Sequence, residues 1–466
     1  MSQAPTSQAA IDQAMQLAIR NHQAGKLPEA ETVYRQVLVQ QPNNVDALHL
    51  LGVIAGQTGR FDTAVDLIHR AIAISPSVAT LHNNLGNVLA DNNRPAEAAI
   101  AYREALRLNP NFAQAHNNLG VVLQAEGKWQ EAMEAYRAAL GLNPANMTSR
   151  WNYSKALLIL GHWKEGWAEF DSRLKLPRLG LNRNFLQPQW DGSDPAGKTI
   201  LLHAEGGHGD ALNFIRFAPQ VAHRGATLIL ECQPALVPLF EGFPGLHRTL
   251  ARGEPLPAFD WQIPLQSLPH ILGITSQNIP GQVPYLSAPP NRIEFWRQRL
   301  IGEKKFRVGL VWAGMKHKGP DPRSRTIDVF APLAEVAGIK FFSLQAGEDS
   351  RQPPPPAMDW ADFSADLTDF AEAAALLQNL DLIITVDTSM AHLAGALARP
   401  VWVLIPFEPD FRWLLERTDT PWYPTMRLFR QKTRQGWAEV IQGIARALGE
   451  FRGEQATLLE QRKISG

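Results

Sequence analysis

Three segments of this chain combine residue types and spacings that could do chemistry. The run Asp387-Thr388-Ser389-Met390 follows an apolar stretch, Asp381 to Val386, and opens a helical pattern through Leu397. A helix start presents unpaired backbone N–H groups and the positive end of the helix dipole, so Thr388 to His392 suits an anion such as a phosphate. An ordinary capped helix would carry the same residues. The loop from Ala313 to Arg325 holds Lys316, His317, Lys318, Arg323 and Arg325. Such cations neutralise a substrate anion, or they are simply solvated. In the third segment, Ala204-Glu205-Gly206-Gly207-His208-Gly209 leads into Asp210, which opens an amphipathic pattern to about Arg224. Asp210 can accept a proton, and aspartate is equally a good helix N-cap. His208, with an ordinary ionisation near neutrality, is the rival base. Cys232 ends an apolar run and reads as a buried strand residue rather than a nucleophile. No Asp-x-Asp carboxylate pair stands out, and no metal is expected.

The elements that must position these residues alternate short apolar runs with helical stretches, which argues for βαβ units and parallel sheets. Strands are expected at 199–203, 227–232 and 260–264, with a helix from Gln233-Pro234 and another from Asn291 to Leu300. A second unit begins with a strand at 307–312. Helix is expected at 326–336, strand at 340–345, helix at 369–380, strands at 381–386 and 401–405, and a terminal helix at 437–451. Ligands of such sheets bind beyond the carboxyl ends of the strands.

The first part of the chain obeys another rule. Pro42, Pro76, Pro110 and Pro144 stand 34 residues apart. Leu51-Gly52, Leu85-Gly86 and Leu119-Gly120 keep the period, as do Gly25, Gly59, Gly127 and Gly161, with Arg94 in place of one. Ala30, Ala64, Ala98 and Ala132 follow the turns, and then come Tyr34, Ile68, Tyr102 and Tyr136. This is the tetratricopeptide-repeat (TPR) pattern of two antiparallel helices per repeat. Glycine allows the tight turn, alanine lets the helices approach, the tyrosine fills the gap to the next repeat, and proline ends the second helix. Five repeats start near Ile11, Val45, Ala79, Ala113 and Met147. The last is degenerate, with Tyr153-Ser154 for Leu-Gly and Gly166 for the alanine; Trp151, Trp163, Trp167 and Phe170 suggest a cap that docks onto the next domain. Such arrays present a concave face. Asn84, Asn118 and Asn152 recur along it at the repeat period, and amides of this kind can pair with a peptide backbone or support packing between repeats.

Composition narrows the function. The 466 residues include 45 Lys and Arg against 45 Asp and Glu, a balance that argues against a nucleic-acid partner. The single cysteine excludes an intramolecular disulfide and a cysteine-rich zinc site. No stretch approaches the ~18 uninterrupted apolar residues of a membrane helix, and Met1 to Ala10 lacks the regions of a signal peptide. The expectation is a soluble cytoplasmic protein with a disordered stretch at 1–10, a repeat array at 11–180 and α/β halves at 181–300 and 301–466. The expected fold class is therefore an α TPR superhelix plus α/β.

With these elements assigned, a family resemblance appears. Asp387-Thr388-Ser389-Met390-Ala391-His392-Leu393-Ala394-Gly395-Ala396 with Arg399-Pro400-Val401 resembles the sugar-nucleotide motif of the heptosyltransferases, glycosyltransferase family 9. Gly209-Asp210 and the basic loop after Trp312 are similar to it too, although an apolar residue would be expected in place of His208. Over nearly its whole length the chain resembles bacterial TPR-fused glycosyltransferases, including the regions Pro409 to Leu415 and Pro421 to Gln431. The asparagine ladder resembles that of eukaryotic O-linked N-acetylglucosamine transferase, which holds acceptor polypeptides. The resemblance implies a GT-B plan of two Rossmann-like domains and inverting transfer from a nucleotide sugar to a hydroxyl without metal or other cofactor. It makes Asp210 the base. The diphosphate falls at Thr388, Ser389, Met390 and His392, with Asp387 at the sugar nucleotide and Lys316, Lys318, Arg323 and Arg325 around the leaving group. The acceptor would be Ser or Thr of a protein held by the array, flagellin-like proteins being one class. The rival readings are a cell-surface saccharide transferase and a non-catalytic scaffold.

Overall fold

A computed structural model describes residues 7–315 and 321–464, with side chains to residue 454. The chain divides after Ala156 into two compact units. In the first, helices pair as antiparallel hairpins: α1 (Gln8–Gln23), α2 (Leu27–Gln40), α3 (Val45–Gln57), α4 (Phe61–Ile74), α5 (Ala79–Asp91), α6 (Pro95–Leu108), α7 (Ala113–Ala125) and α8 (Trp129–Leu142); α9 (Met147–Ile159) runs across the division. The alanines that follow each turn, Ala30, Ala64, Ala98 and Ala132, are fully buried. A side-chain carbon at Gly86 would stand 2.5 Å from the Tyr102 ring, and one at Gly120 equally close to Tyr136. Each tyrosine therefore seats on the glycine of its own repeat, not in the gap to the next one as the spacing suggested. That seat explains the Leu-Gly pairs.

Two details of the repeat half differ from the sequence reading. The residue at the third such turn, between α5 and α6, is Asn93, in the left-handed region at φ 56°, and not Arg94, which precedes α6. Asparagine tolerates that conformation, as glycine does at Gly25, Gly59 and Gly127. Residues 8–10 are helical, with the Ser7 hydroxyl accepting from the Ala10 N–H; residues 1–6 lie outside the described part.

The first helix wholly within the second unit is α10 (Trp163–Phe170), so the last repeat's second helix is built into that unit rather than into the array. The cause is aromatic packing. Trp163 stacks on Trp422 at 5.4 Å, and Trp167 meets Phe214 and Phe411 edge-on at 6.0 and 5.5 Å. Two parallel sheets follow. The first orders its strands β3-β2-β1-β4, from β1 (Thr199–His203), β2 (Thr227–Cys232), β3 (Leu246–Ala251) and β4 (Trp261–Pro264). The second orders them β10-β9-β8-β5-β6-β7, from β5 (Phe306–Val311), β6 (Ile339–Ser343), β7 (Trp360–Asp362), β8 (Leu382–Val386), β9 (Val401–Ile405) and β10 (Met426–Arg430). The fold is thus α plus α/β. Helices α11 (His208–Phe214), α12 (Ala218–Ala222), α13 (Val237–Phe240) and α14 (Leu268–Ile271) accompany the first sheet. Helix α15 (Pro290–Arg299) connects to the second, with α16 (Phe370–Leu377), α17 (Ser389–Ala396) and α18 (Trp437–Ile464).

Strands β8 and β9 are wholly buried, which is why their sequence is a continuous apolar run. Edge strands β3, β7 and β10 were not expected from the sequence: β3 carries exposed His247 and Arg248, and β10 carries Arg427 and Arg430. The helix expected at 326–336 is a 3-10 segment, Ile327–Glu335, because Pro332 cannot continue an α-helix. The helix expected from Asp210 to Arg224 is broken by a 3-10 turn at Ile215–Phe217 into α11 and α12. Among the described residues no helix is long and apolar enough to cross a membrane.

Candidate functional site

Each sheet has a point where strand order reverses, beside β1 in the first and between β5 and β8 in the second. The loops that diverge there leave a crevice at the carboxyl ends of the strands. The loop after β1 leads into α11 and the loop after β8 leads into α17, and these two helices pack together. A side-chain carbon at Gly209 would lie 2.8 Å from His392 Cδ2 and 3.4 Å from Ser389 Cα. Only a residue without one brings the start of α11 onto the start of α17.

At the α17 start, Thr388 occupies the cap position without capping. Its hydroxyl is 3.1 Å from that of Thr385, and the first turn has no side-chain cap. Asp387 directly follows β8 in a buried position, where burial and the neighbouring Asp410 carboxylate push its ionisation up to about 6. His392 is buried and stacked on Trp413 at 5.3 Å. Burial, with the charges of Arg412 and Arg216, pushes its ionisation well down, so it is neutral. Tyr423 Oη lies 3.0 Å from His392 Nδ1 and accepts from Asn213 Nδ2 at 2.7 Å. Tyr423 Oη thus bridges Asn213 and His392. Gly395 lets this ring in: a side-chain carbon there would be 2.5 Å from Tyr423.

Asp210 does not open α11; His208 does, and Asp210 is the third helical residue. Its carboxylate has two partners. Oδ2 accepts the Gly207 N–H at 3.0 Å, and Oδ1 pairs with Arg412 Nη2 at 2.5 Å. Arg412 is buried, lies over the Phe411 ring at 4.6 Å, and also pairs with Asp410 at 2.8 Å. His208 packs its ring against Phe370 at 5.0 Å, and burial followed by the charge of Arg252 lowers its ionisation.

Among the described residues of the basic loop, Arg323 meets the site and Arg325 does not. Arg323 pairs with Asp321 at 2.9 Å and reaches the Asp387 carbonyl at 3.4 Å, which places it at the α17 start. Arg325 is engaged elsewhere, over the Trp437 ring at 4.7 Å and on the Pro322 carbonyl. Lys316 and Lys318 lie outside the described residues. Met390 is buried in the first turn of α17. Cys232 is buried in β2, and burial pushes its thiol up to about 12.

Sequence reasoning assigned no role to several residues of this crevice. Arg412, Asp410 and Tyr423 lie in the two segments singled out by resemblance alone. Arg216 is buried between α11 and the Trp422 carbonyl, where its Nη1 donates at 2.8 Å. Buried Glu205, in the loop after β1, pairs with buried Arg173, which also binds Asp171. A lone Glu in a loop and an Arg at a helix end carry no spacing signal. In the first unit, Asn84, Asn118 and Asn152 are bonded within the array. Asn84 Nδ2 lies 2.6 Å from His49 Nε2, Asn118 Nδ2 donates to Asn87 at 3.0 Å, and Asn152 Nδ2 donates to Asn117 at 3.3 Å.

The tetratricopeptide repeat family model matches residues 15–79 and 83–162. The model of glycosyltransferase family 9 (heptosyltransferase) matches residues 365–404, which hold α16, β8, α17 and most of β9. Protein FlbA of Caulobacter vibrioides is 27% identical over 314 residues, 61% of this chain and 52% of FlbA. The chain thus spans about half the length of the curated relative it matches. A crystal structure of MamA is 24% identical, covers 34% of this chain and 92% of its own, and has a TM-score of 0.32. The structure of YrrB, described as a TPR protein with an unusual peptide-binding site, is 20% identical, covers 36% of this chain and 87% of its own, and has a TM-score of 0.31. The chain therefore joins TPR repeats to a domain with family 9 glycosyltransferase resemblance.

Proposed function

We propose that this protein is a glycosyltransferase of GT-B plan that moves a sugar from a nucleotide-sugar donor to a hydroxyl of a protein recruited by its repeats. One observation carries the reading. The segment similar to glycosyltransferase family 9 contains the β8–α17 turn, whose helix start lacks a side-chain cap and is reached by Arg323. A diphosphate is the anion that a helix start beside a guanidinium suits best. Positive charge from Arg323, with Lys316 and Lys318 from the same loop, would stabilise the departing nucleotide without a metal or cofactor. Asp387, Thr388, Ser389, Met390 and His392 form the donor site, Asp210 is the base and His208 its rival. The repeats supply the protein acceptor, and the reaction is cytoplasmic and inverting.

Calorimetry with UDP, GDP, ADP and CDP tests the donor site. One of them should bind, and Ser389→Pro should weaken that binding about tenfold, the loss of one charge-assisted hydrogen bond. Proline is tolerated at the first helical position, so the fold should persist. Binding by none of the four, or equal binding by the variant, would refute the donor site.

A further inference from the structure

The second sheet's loop residue Arg412 has more negative charge around it than one guanidinium can satisfy. Asp210 and Asp410 both pair with it, and Asp387 lies close enough for its ionisation to feel both Asp410 and Arg412. Bringing a diphosphate to the neighbouring α17 start adds further negative charge, and like charges at this range repel strongly in a partly buried site. One carboxylate must give way. Asp410 is fixed within Arg412's own turn, where it accepts the Arg412 backbone N–H at 3.0 Å. Asp210 comes from the other half, its side chain is 25% exposed against 7% for Arg412, and it keeps a second partner in the Gly207 N–H. Arg412 Nε is buried with no hydrogen-bond partner, a donor still to be used. Gly209 sets the distance: a side-chain carbon there would stand 3.4 Å from Ser389 Cα, so Asp210 is next to the residue that meets the helix start.

We propose that Arg412 is a ligand of the donor diphosphate, that Asp210 competes with the diphosphate for it, and that donor binding releases the Asp210 carboxylate toward the acceptor. The proposal rests on the reading of the α17 start as the diphosphate site. It makes the ion pair a device that orders events: the base is held until the leaving group is in place. A hydroxyl acceptor arriving first meets a carboxylate already occupied by a guanidinium.

The test is nucleoside diphosphate binding by the full-length protein, followed by calorimetry with whichever of UDP, GDP, ADP and CDP binds. A competitor lowers apparent affinity by the fraction of protein it occupies, so removing it raises affinity. Asp210→Asn, which keeps an acceptor for the Gly207 N–H, should therefore tighten diphosphate binding by at least about fivefold. Arg412→Lys and Arg412→Gln should weaken it about tenfold or more, and Asp210→Asn should then bring no gain in the Arg412→Gln background. The matching nucleoside, without phosphates, should bind all variants equally. Unchanged or weaker binding by Asp210→Asn would overturn the proposal, as would unchanged binding by Arg412→Lys. If Ser389→Pro weakens binding while Asp210→Asn fails to tighten it, the donor site stands and the competition falls. If no diphosphate binds, both fall. Arg412→Lys keeps the charge, so the test survives if Arg412→Gln does not fold.

Discussion

Gly209 shows how one missing methyl group sets the geometry of the crevice. His392 cannot yield to a new side chain, because it is stacked on Trp413 and hydrogen-bonded to Tyr423. Gly209→Ala should destabilise the second unit by about 1–3 kcal/mol, as overpacking does, and weaken nucleotide binding; urea unfolding and calorimetry measure both. Two other buried groups give opposite pH signatures. His203 accepts burial by losing its charge, its ionisation pushed down to about 4 from 6.5. The folded state then binds fewer protons than the unfolded one, so His203 subtracts stability as pH falls from 6.5 toward 4. Asp387, raised to about 6 from 3.8, binds more protons when folded and adds stability as pH falls through 6 toward 3.8. Each effect is on the order of 3 kcal/mol, and the two largely cancel. His203→Gln should make the protein more resistant to mild acid, and Asp387→Asn should make it less so, relative to its stability at pH 7. Denaturation at pH 7 and pH 4.5 decides the signs.

At the scale of elements, glycine–tyrosine seats close the helix pair within a repeat, and amides join one repeat to the next. Gly86→Ala and Gly120→Ala each drive a side-chain carbon into a tyrosine ring, and each should lower the melting temperature of the array measurably, at about 1–3 kcal/mol. Asn84, Asn118 and Asn152 are bonded to neighbouring repeats, so replacing all three by Ala should destabilise the array by about 0.5–1.5 kcal/mol per lost bond. If the same amides also grip an acceptor polypeptide, affinity for it should fall at least tenfold, with donor binding unchanged. A melting shift with no change in acceptor affinity would leave the ladder a packing device alone.

For the whole molecule, the two units should unfold in two calorimetric transitions. Trp167 belongs to the second by its contacts with Phe170, Phe214 and Phe411, although its sequence position continues the repeat pattern. Trp167→Ala should cost about 3–5 kcal/mol in the second transition and leave the first where it was. A shift of the first transition instead would return α10 to the array.

The sequence by itself determined what is periodic or continuous. The 34-residue period fixed the helical hairpins, because Ala30, Ala64, Ala98 and Ala132 are buried alike and Gly52, Gly86 and Gly120 each seat a large side chain, Ile68, Tyr102 or Tyr136. The unbroken apolar runs of β8 and β9 announced buried parallel strands, and Asp387 to Met390 announced a helix start beside them. Edge strands β3, β7 and β10 were illegible, since an edge tolerates the charged residues that hide the pattern. The crevice was half legible. Asp210 and His392 stood out by motif, but their partners Arg412 and Tyr423 are 202 and 31 residues away along the chain. No local pattern encodes such a meeting. Only the packing of α11 on α17, allowed by Gly209, decided that the proposed base would face a guanidinium.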